Sequence, residues 1–164
     1  MINRAIQLAY LAGFSALRVS WRFRVPNQRG AVVALWCGGE VLMVRHGYQR
    51  IWTLPGGSIR PGEPAMAAAS RELREETNIA LPASALQAAL VSEHLWNHRW
   101  DRVHVFAARV IHKPTVKIDQ REIVESRWLT AASLEGLSVP PQVRDYLARQ
   151  PRGPEGDLHP HLGA

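Results

Sequence analysis

Cysteine is nearly absent from this chain of 164 residues, where Cys37 stands alone. A single thiol cannot close an intramolecular disulfide, so the fold must rest on burial, and the scarcity fits a reducing, cytoplasmic setting. No cysteine–histidine pair has the spacing of a zinc site. Lysine is scarce too, since eighteen of the twenty basic residues are arginine. The apolar N-terminal stretch is too short to cross a bilayer: only 13 residues separate Arg4 from Arg18, against about 20 for a spanning helix. Acid is missing where base is plentiful, because residues 1–60 hold eight arginines and one carboxylate, Glu40. An electropositive third of this kind suits a polyanion such as a phosphate, a nucleic acid or a lipid headgroup, or else reflects coding bias.

What is present describes one globular domain. Hydrophobic residues make up 46% of the chain, enough for a core without disulfides at this length. Residues 1–20 ("MINRAIQLAYLAGFSALRVS") are expected to form a helix, the core of an N-terminal extension over 1–24. The stretch also resembles a signal peptide, with Arg4, an apolar run and small residues near Ser15–Ala16, but it is expected instead to be a helix that packs on the domain or on a partner subunit of a homodimer, in preference to lying on a membrane. The main domain spans 25–150. Its alternating apolar runs predict strands at Ala31–Cys37 and Val41–His46 around a Gly38–Gly39 turn. "IWTLPGG" reads as a short extended piece stopped by Pro55 and two glycines. A helix is expected over Pro64–Thr77, then strands in "LQAALVSEHLW", "DRVHVFAARVI" and "EIVESRWLT". Short helices should follow in "AASLEGL" and "PPQVRDYLARQ". The tail over 151–164 is rich in Pro, Gly and His and reads as disordered. This order of elements predicts an α/β domain with a mixed sheet between helices.

The helix raises the functional question. At 100° per residue, Glu76 lies about 40° to one side of Glu72, and Glu75 about 60° to the other. Ala65, Ala68 and Ala69 fall on or beside that arc, which is expected to leave room for a ligand. Leu73 and Met66 form the buried stripe, and Ser70 and Arg74 point to solvent. Like charges at Glu72 and Glu76 cost about 0.2–0.5 kcal/mol. Glu75 and Glu76 also face the negative end of the helix dipole, at about 0.3–1 kcal/mol each. Arg71, four residues before Glu75, offsets only part of this. A hard divalent cation would offset the rest. A solvated acidic face would equally explain the carboxylates taken alone.

The surrounding residues point one way. Gly57, Glu63, Arg71, Glu72, Leu73, Glu75, Glu76 and Ile79 fit the pattern G-x5-E-x7-R-E-U-x-E-E-x-G-U, where U is a bulky aliphatic residue. The chain therefore resembles the Nudix hydrolase family, from about Gly30 to Leu147. The one departure is Asn78 in place of the family's glycine, and asparagine is the next best residue for the positive φ of a helix end. The resemblance implies an α/β/α sandwich with a mixed β-sheet, to which the N-terminal helix is an extra. It also implies Mg²⁺- or Mn²⁺-dependent hydrolysis of a nucleoside diphosphate linked to another group X, a small-molecule nucleotide.

By the same resemblance Glu72, Glu75 and Glu76 are the metal ligands, with Gly56 beside them. Arg71 holds a carboxylate in position, and Glu63 supports the helix or a metal-bound water. Gly56 and Gly57 would let the backbone approach closely. The general base is sought outside the box, at Glu122 or Glu125, with Glu122 favoured at the loop edge. Glu125 would otherwise form a cross-strand ion pair. "LWNHRWDR" could wall the pocket as a loop, with Trp96, Trp100, Arg99 and Arg102 stacking a base and holding phosphate. Arg45, His46 and Arg50 are further candidate phosphate contacts, and Trp52 is expected to be structural. ADP-ribose, other nucleotide sugars and nucleoside triphosphates all fit. An RNA 5′ end also fits the charge, but no RNA-binding motif supports it. The competing reading is a non-catalytic Nudix module that binds nucleotide or RNA as a sensor. The intact set of carboxylates argues for the enzyme.

Overall fold

A computed structural model describes residues 27–47, 51–96, 99–118 and 122–154. The predicted N-terminal helix, Arg50 and residues 155–164 lie outside the described residues.

The first two predicted strands are found slightly longer, as β1 (Asn27–Cys37) and β2 (Glu40–His46). Gly38 and Gly39 both take positive φ, 55° and 90°, as a tight hairpin between twisted strands requires. The extended piece divides into β3 (Trp52–Thr53) and β4 (Gly56–Ser58). Helix α1 follows over Ala65–Thr77. Next come β5 (Gln87–Trp96), β6 (Arg99–Arg109) and β7 (Ile123–Thr130), and α2 closes the domain over Pro141–Arg149. The sheet runs β3-β2-β1-β6-β5, with β4 added to β1 and β7 added to β2. β1 and β6 are parallel and the other pairs antiparallel, so the sheet is mixed.

Strand alternation sorts β1 into two cores. Ala31, Val33 and Leu35 meet Ala68, Ala69 and Leu73 of α1 on one face. Val32, Ala34 and Trp36 meet Val143 and Tyr146 of α2 on the other. Helices thus cover both faces, giving the α/β/α sandwich. Among the described residues no helix is long and apolar enough to cross a membrane.

Several local expectations are corrected. "AASLEGL" forms only a single 3-10 turn at Ala132–Leu134, ended where Gly136 takes φ 85°. Arg99 to Arg102 belong to β6, so that part of the expected loop wall is strand. The start of the tail is ordered. Arg109 donates to the carbonyls of Arg152 at 2.9 Å and Pro154 at 2.8 Å, and Gly153 lies against the Trp36 ring.

Candidate active site

Helix α1 delivers the carboxylates because its small residues let it lie close on the sheet. Ala68 and Ala69 are fully buried against the core beneath the helix. They serve packing, which corrects the expectation that they leave room for a ligand. Ser70 is corrected as well: its hydroxyl donates to the carbonyl of Leu81 instead of facing water. The helix ends at Asn78, whose φ of 60° and ψ of 19° make the left-handed cap expected there.

Arg71 is the centre of the site. Its Nε and Nη2 bind the two oxygens of Glu63 at 2.8 and 2.9 Å, the fork geometry that arginine favours with carboxylates. Nη1 reaches Glu72 Oε1 at 2.7 Å and Glu75 Oε2 at 3.2 Å, and Nη2 reaches the Ser58 carbonyl at 3.1 Å. The bonds from Arg71, and then the Arg60 backbone N–H, hold the Glu63 carboxyl down at about 2. Glu63 in turn raises the proton affinity of Arg71 above its ordinary value. Arg60 also approaches Glu75 Oε1 at 3.6 Å.

Glu72 is pushed the opposite way. Burial raises its pKa, Arg71 opposes this, and the charges of Glu75 and Glu122 raise it further. Glu122 therefore belongs to the same electrostatic group, although it comes from the loop before β7. It is held there by its own carbonyl, which accepts from Gly47 N–H at 2.9 Å. Glu76 is only 6% exposed and so is not part of a solvated acidic face, whereas the Glu75 side chain is 45% exposed. Its Oε2 accepts from the Gly56 N–H at 2.9 Å, and Oε1 lies 4.0 Å from His46 Nε2.

The two glycines differ in what they admit. A Cβ on Gly57 would stand 2.7–2.8 Å from the Glu72 carboxylate, so that carboxylate fills the space a side chain would take. A Cβ on Gly56 would strike the β1 backbone, 2.3 Å from the Ala31 oxygen. Gly56 thus packs on β1 and gives its N–H to Glu76.

Other sequence candidates lie elsewhere. Arg45 faces the side of the sheet covered by α2, away from the carboxylates. It is bound there to Glu125 Oε2 at 2.8 and 3.0 Å and lies 6.0 Å from the Trp52 ring. Glu125 also accepts from Arg127, so it is the cross-strand ion-pair residue. The physical cause is alternation: Arg45 and Glu125 are register partners, while His46 next to Arg45 points toward α1. Trp52 is buried, as expected. Trp96 and Arg99 pair across the β5–β6 hairpin, but their side chains lie outside the described residues. His46 as a neighbour of Glu76, and Ser58 as an acceptor for Arg71, went unrecognised in the sequence. The alternation of "VLMVRH" was the available signal for His46.

The donors suit a hard divalent cation. Glu72, Glu75 and Glu76 offer only oxygens, and the Gly57 cradle keeps Glu72 close to the backbone. Among the described residues no three acidic, histidine or cysteine side chains already converge as a metal site. Nη1 of Arg71 bridges Glu72 and Glu75 and supplies positive charge between them.

A mixed sheet between two helices carries the carboxylate helix, and the arginine fork locks it in place. The NUDIX domain family matches residues 26–150. The chain belongs to the Nudix family and is by class a pyrophosphohydrolase. A putative 8-oxo-dGTP diphosphatase of Bacillus subtilis (strain 168) is 28% identical over 118 residues, or 72% of this chain and 76% of that protein. The MutT NUDIX hydrolase from Burkholderia pseudomallei superposes with a TM-score of 0.67 at 22% identity, over 76% of this chain and 98% of that one. The C. elegans Ap4A hydrolase, solved as a binary complex, gives 0.64 at 21% identity, over 74% and 93%. At such identities these two structures show a shared fold.

Proposed function

We propose that the protein hydrolyses a phosphoanhydride bond in a nucleoside diphosphate linked to a second group X, using Mg²⁺ or Mn²⁺. Glu72, Glu75 and Glu76 hold the cation, with the Gly56 backbone beside them. When bound, the metal neutralises phosphate charge and lowers the pKa of its water. The chain's own residues do the rest. Arg71 fixes the carboxylates and is itself fixed by Glu63. His46 and the Gly56 N–H hold Glu76 in place. Glu122 accepts the proton of the attacking water as that water adds to phosphorus and the bridging P–O bond breaks, leaving two phosphate products.

The chief support is the Glu72 carboxylate, seated in the space beside Gly57 and driven toward higher proton affinity by burial and by Glu75 and Glu122. A carboxylate in that state has an unmet demand for positive charge. The substrate is taken to be a small nucleotide, by analogy with relatives named for 8-oxo-dGTP and Ap4A.

The test is a phosphate-release panel, coupled to a phosphatase so that monoester products are counted. It runs nucleoside triphosphates, ADP-ribose, nucleotide sugars and 5′-triphosphorylated or capped RNA, each with Mg²⁺ or Mn²⁺, beside a Glu76→Gln control. Turnover of one class, lost in the control, supports the enzyme. Tight binding without turnover anywhere in the panel would instead identify a sensor.

A further inference from the structure

We propose that the cleft lined by Arg29, Trp100 and Arg102 seats the nucleobase and an adjoining phosphate of the substrate, with Trp100 stacking the base and the two guanidiniums holding the phosphate. This inference rests on the hydrolase reading above and adds the residues that would recognise the nucleoside.

The first argument is position. On β1, the residues that face α1 are Ala31, Val33 and Leu35, and Arg29 continues that row. On β6 the same face carries Phe106 and Ala108, so His104, Arg102 and Trp100 continue it. The parallel register sets Arg29 beside Arg102 and Ala31 beside His104. Ala31 is also the partner of Gly57, the residue that cradles Glu72. Arg29 is therefore one same-face step, about 7 Å along the strand, from the edge of the carboxylate site. A nucleotide whose anhydride meets Glu72 would extend along this strip.

Chemistry is the second argument. The cleft is half-open, has a volume of about 400 Å³ and is also lined by Gln28, Glu93 and Asp101; its size is within the usual range for small-molecule sites. Trp100 is 52% exposed on a strand face, next to its exposed cross-strand partner Leu95. Arg29 and Arg102 are like charges directly opposed on adjacent strands, an arrangement that costs stability. Arg102 is partly compensated by Glu93 at 3.3 Å. The Arg29 guanidinium has no ion pair among the described residues. After burial, Arg102 and Arg29 are the charges that disfavour protonation of His104, so both fields converge on this strip. An apolar protein contact would account for Trp100 and Leu95, but not for two guanidiniums set against each other beside them. A base with its phosphate accounts for both.

The test uses the full chain and isothermal titration with ADP and GDP, with inorganic pyrophosphate as the base-free probe. Trp100→Ala should weaken ADP and GDP binding by about tenfold or more and leave pyrophosphate unchanged. Trp100→Phe should stay near wild type, because a smaller ring still stacks. Arg29→Gln should weaken all three probes. Trp100 and Arg29 lie on the surface, so Trp100→Ala should keep the wild-type melting temperature, and Arg29→Gln, which relieves the repulsion from Arg102, should match or slightly exceed it. Wild-type affinity for ADP and GDP in both Trp100→Ala and Arg29→Gln overturns the proposal, as does a wild-type protein that binds neither nucleotide. The hydrolase reading is judged separately by Glu76→Gln. An inactive Glu76→Gln with unaffected Trp100→Ala and Arg29→Gln removes the subsite and leaves the enzyme.

Discussion

Gly56 and Gly57 are neighbours in one short strand, yet alanine should do opposite things to them. At Gly57 the three atoms nearest the added Cβ all belong to the Glu72 carboxylate, at 2.7–2.8 Å. An ordinary contact needs roughly 3.4 Å or more, so the carboxylate must retreat by about 0.6 Å or swing away. Its side chain is largely buried and bound to Arg71, but it ends in a rotatable carboxylate, so the cost to the fold stays well below that of a backbone clash. Gly57 has no positive φ, so alanine also restricts the unfolded chain and can stabilise by about 0.4–1 kcal/mol. Function is another matter, because a misplacement near 1 Å in a catalytic group is worth about 100-fold in rate. At Gly56 the Cβ would lie 2.3 Å from the Ala31 oxygen and 2.6 Å from Val32 Cα, at a φ of 149°. Neither backbone atom can yield without opening the β1–β4 pairing, so Gly56→Ala should lose about 3 kcal/mol or more. Urea denaturation would measure the stabilities, and kcat/KM on the substrate found by the panel would measure function. The expected pattern is Gly57→Ala folded but about 100-fold slower, and Gly56→Ala unfolded or severely weakened. A Gly57→Ala enzyme with wild-type kcat/KM would refute the placement of Glu72 by that glycine. A Gly57→Ala protein destabilised as much as Gly56→Ala would refute the claim that the nearest obstruction is a side chain able to give way.

Glu76→Gln should abolish nearly all turnover while keeping the fold, since its amide oxygen can still accept from Gly56 N–H. Its metal-free melting temperature should match or slightly exceed wild type, and Mg²⁺ should raise it less than it raises wild type, as read by differential scanning fluorimetry. Glu63 is held charged down to about 2 against an ordinary 4.5. Its stabilising effect should be complete above about pH 4.5 and fade as pH falls toward 2. Urea midpoints of wild type and Glu63→Gln should therefore differ at pH 6 and converge at the acid end. Arg71→Lys should lower the midpoint and not rescue activity, because an ammonium cannot span both oxygens of Glu63 and still reach Glu72. Burial raises the Tyr146 hydroxyl to about 12 from 10, so stability should be full below pH 10 and fall as pH climbs toward 12. Tyr146→Phe should flatten that alkaline limb, and at neutral pH cost about 1–2 kcal/mol by leaving Trp36 Nε1, now 2.8 Å from the hydroxyl, without its acceptor.

The elements and the carboxylate helix were legible because their signals are local. Alternation in "AVVALWC", a glycine pair at a turn and a helix run closed by Asn78 need no knowledge of distant residues. The failures at the site were relational. Arg45 and His46 look equivalent as neighbouring basic residues, yet one joins Glu125 behind the sheet and the other approaches Glu76 in front of it. Telling them apart requires the register of β2 against β7. Ala68 and Ala69 read as space on an active face, because a helical wheel does not say which arc the sheet will cover. Arg29 drew no attention, because its place beside Arg102 depends on a parallel pairing between strands some seventy residues apart in sequence.

The position of the acids at the wrong end of their helix follows from the same network. The dipole penalty at Glu75 and Glu76, about 0.3–1 kcal/mol each, is offset by the Arg71 fork and by the Gly56 N–H donated to Glu76. Compensation of this kind makes the helix tolerable without making it neutral. Glu63, Glu72 and Glu75 pair with Arg71 and Arg60, Glu76 takes the Gly56 N–H, and Glu122 adds its negative charge to the field at Glu72. Glu63 takes the stronger share of Arg71 and becomes a firm anion, while Glu72, more deeply placed, is left with raised proton affinity. Two carboxylates bound to one guanidinium are thereby driven in opposite directions. The outer one anchors the arginine, and the inner one keeps the demand for positive charge that a divalent cation can meet. A helix selected only for stability would shed that imbalance by replacing Glu72 or Glu76 with an apolar residue at the same buried face. Its retention beside a glycine that cradles Glu72 is what ties this local physics to phosphoanhydride hydrolysis.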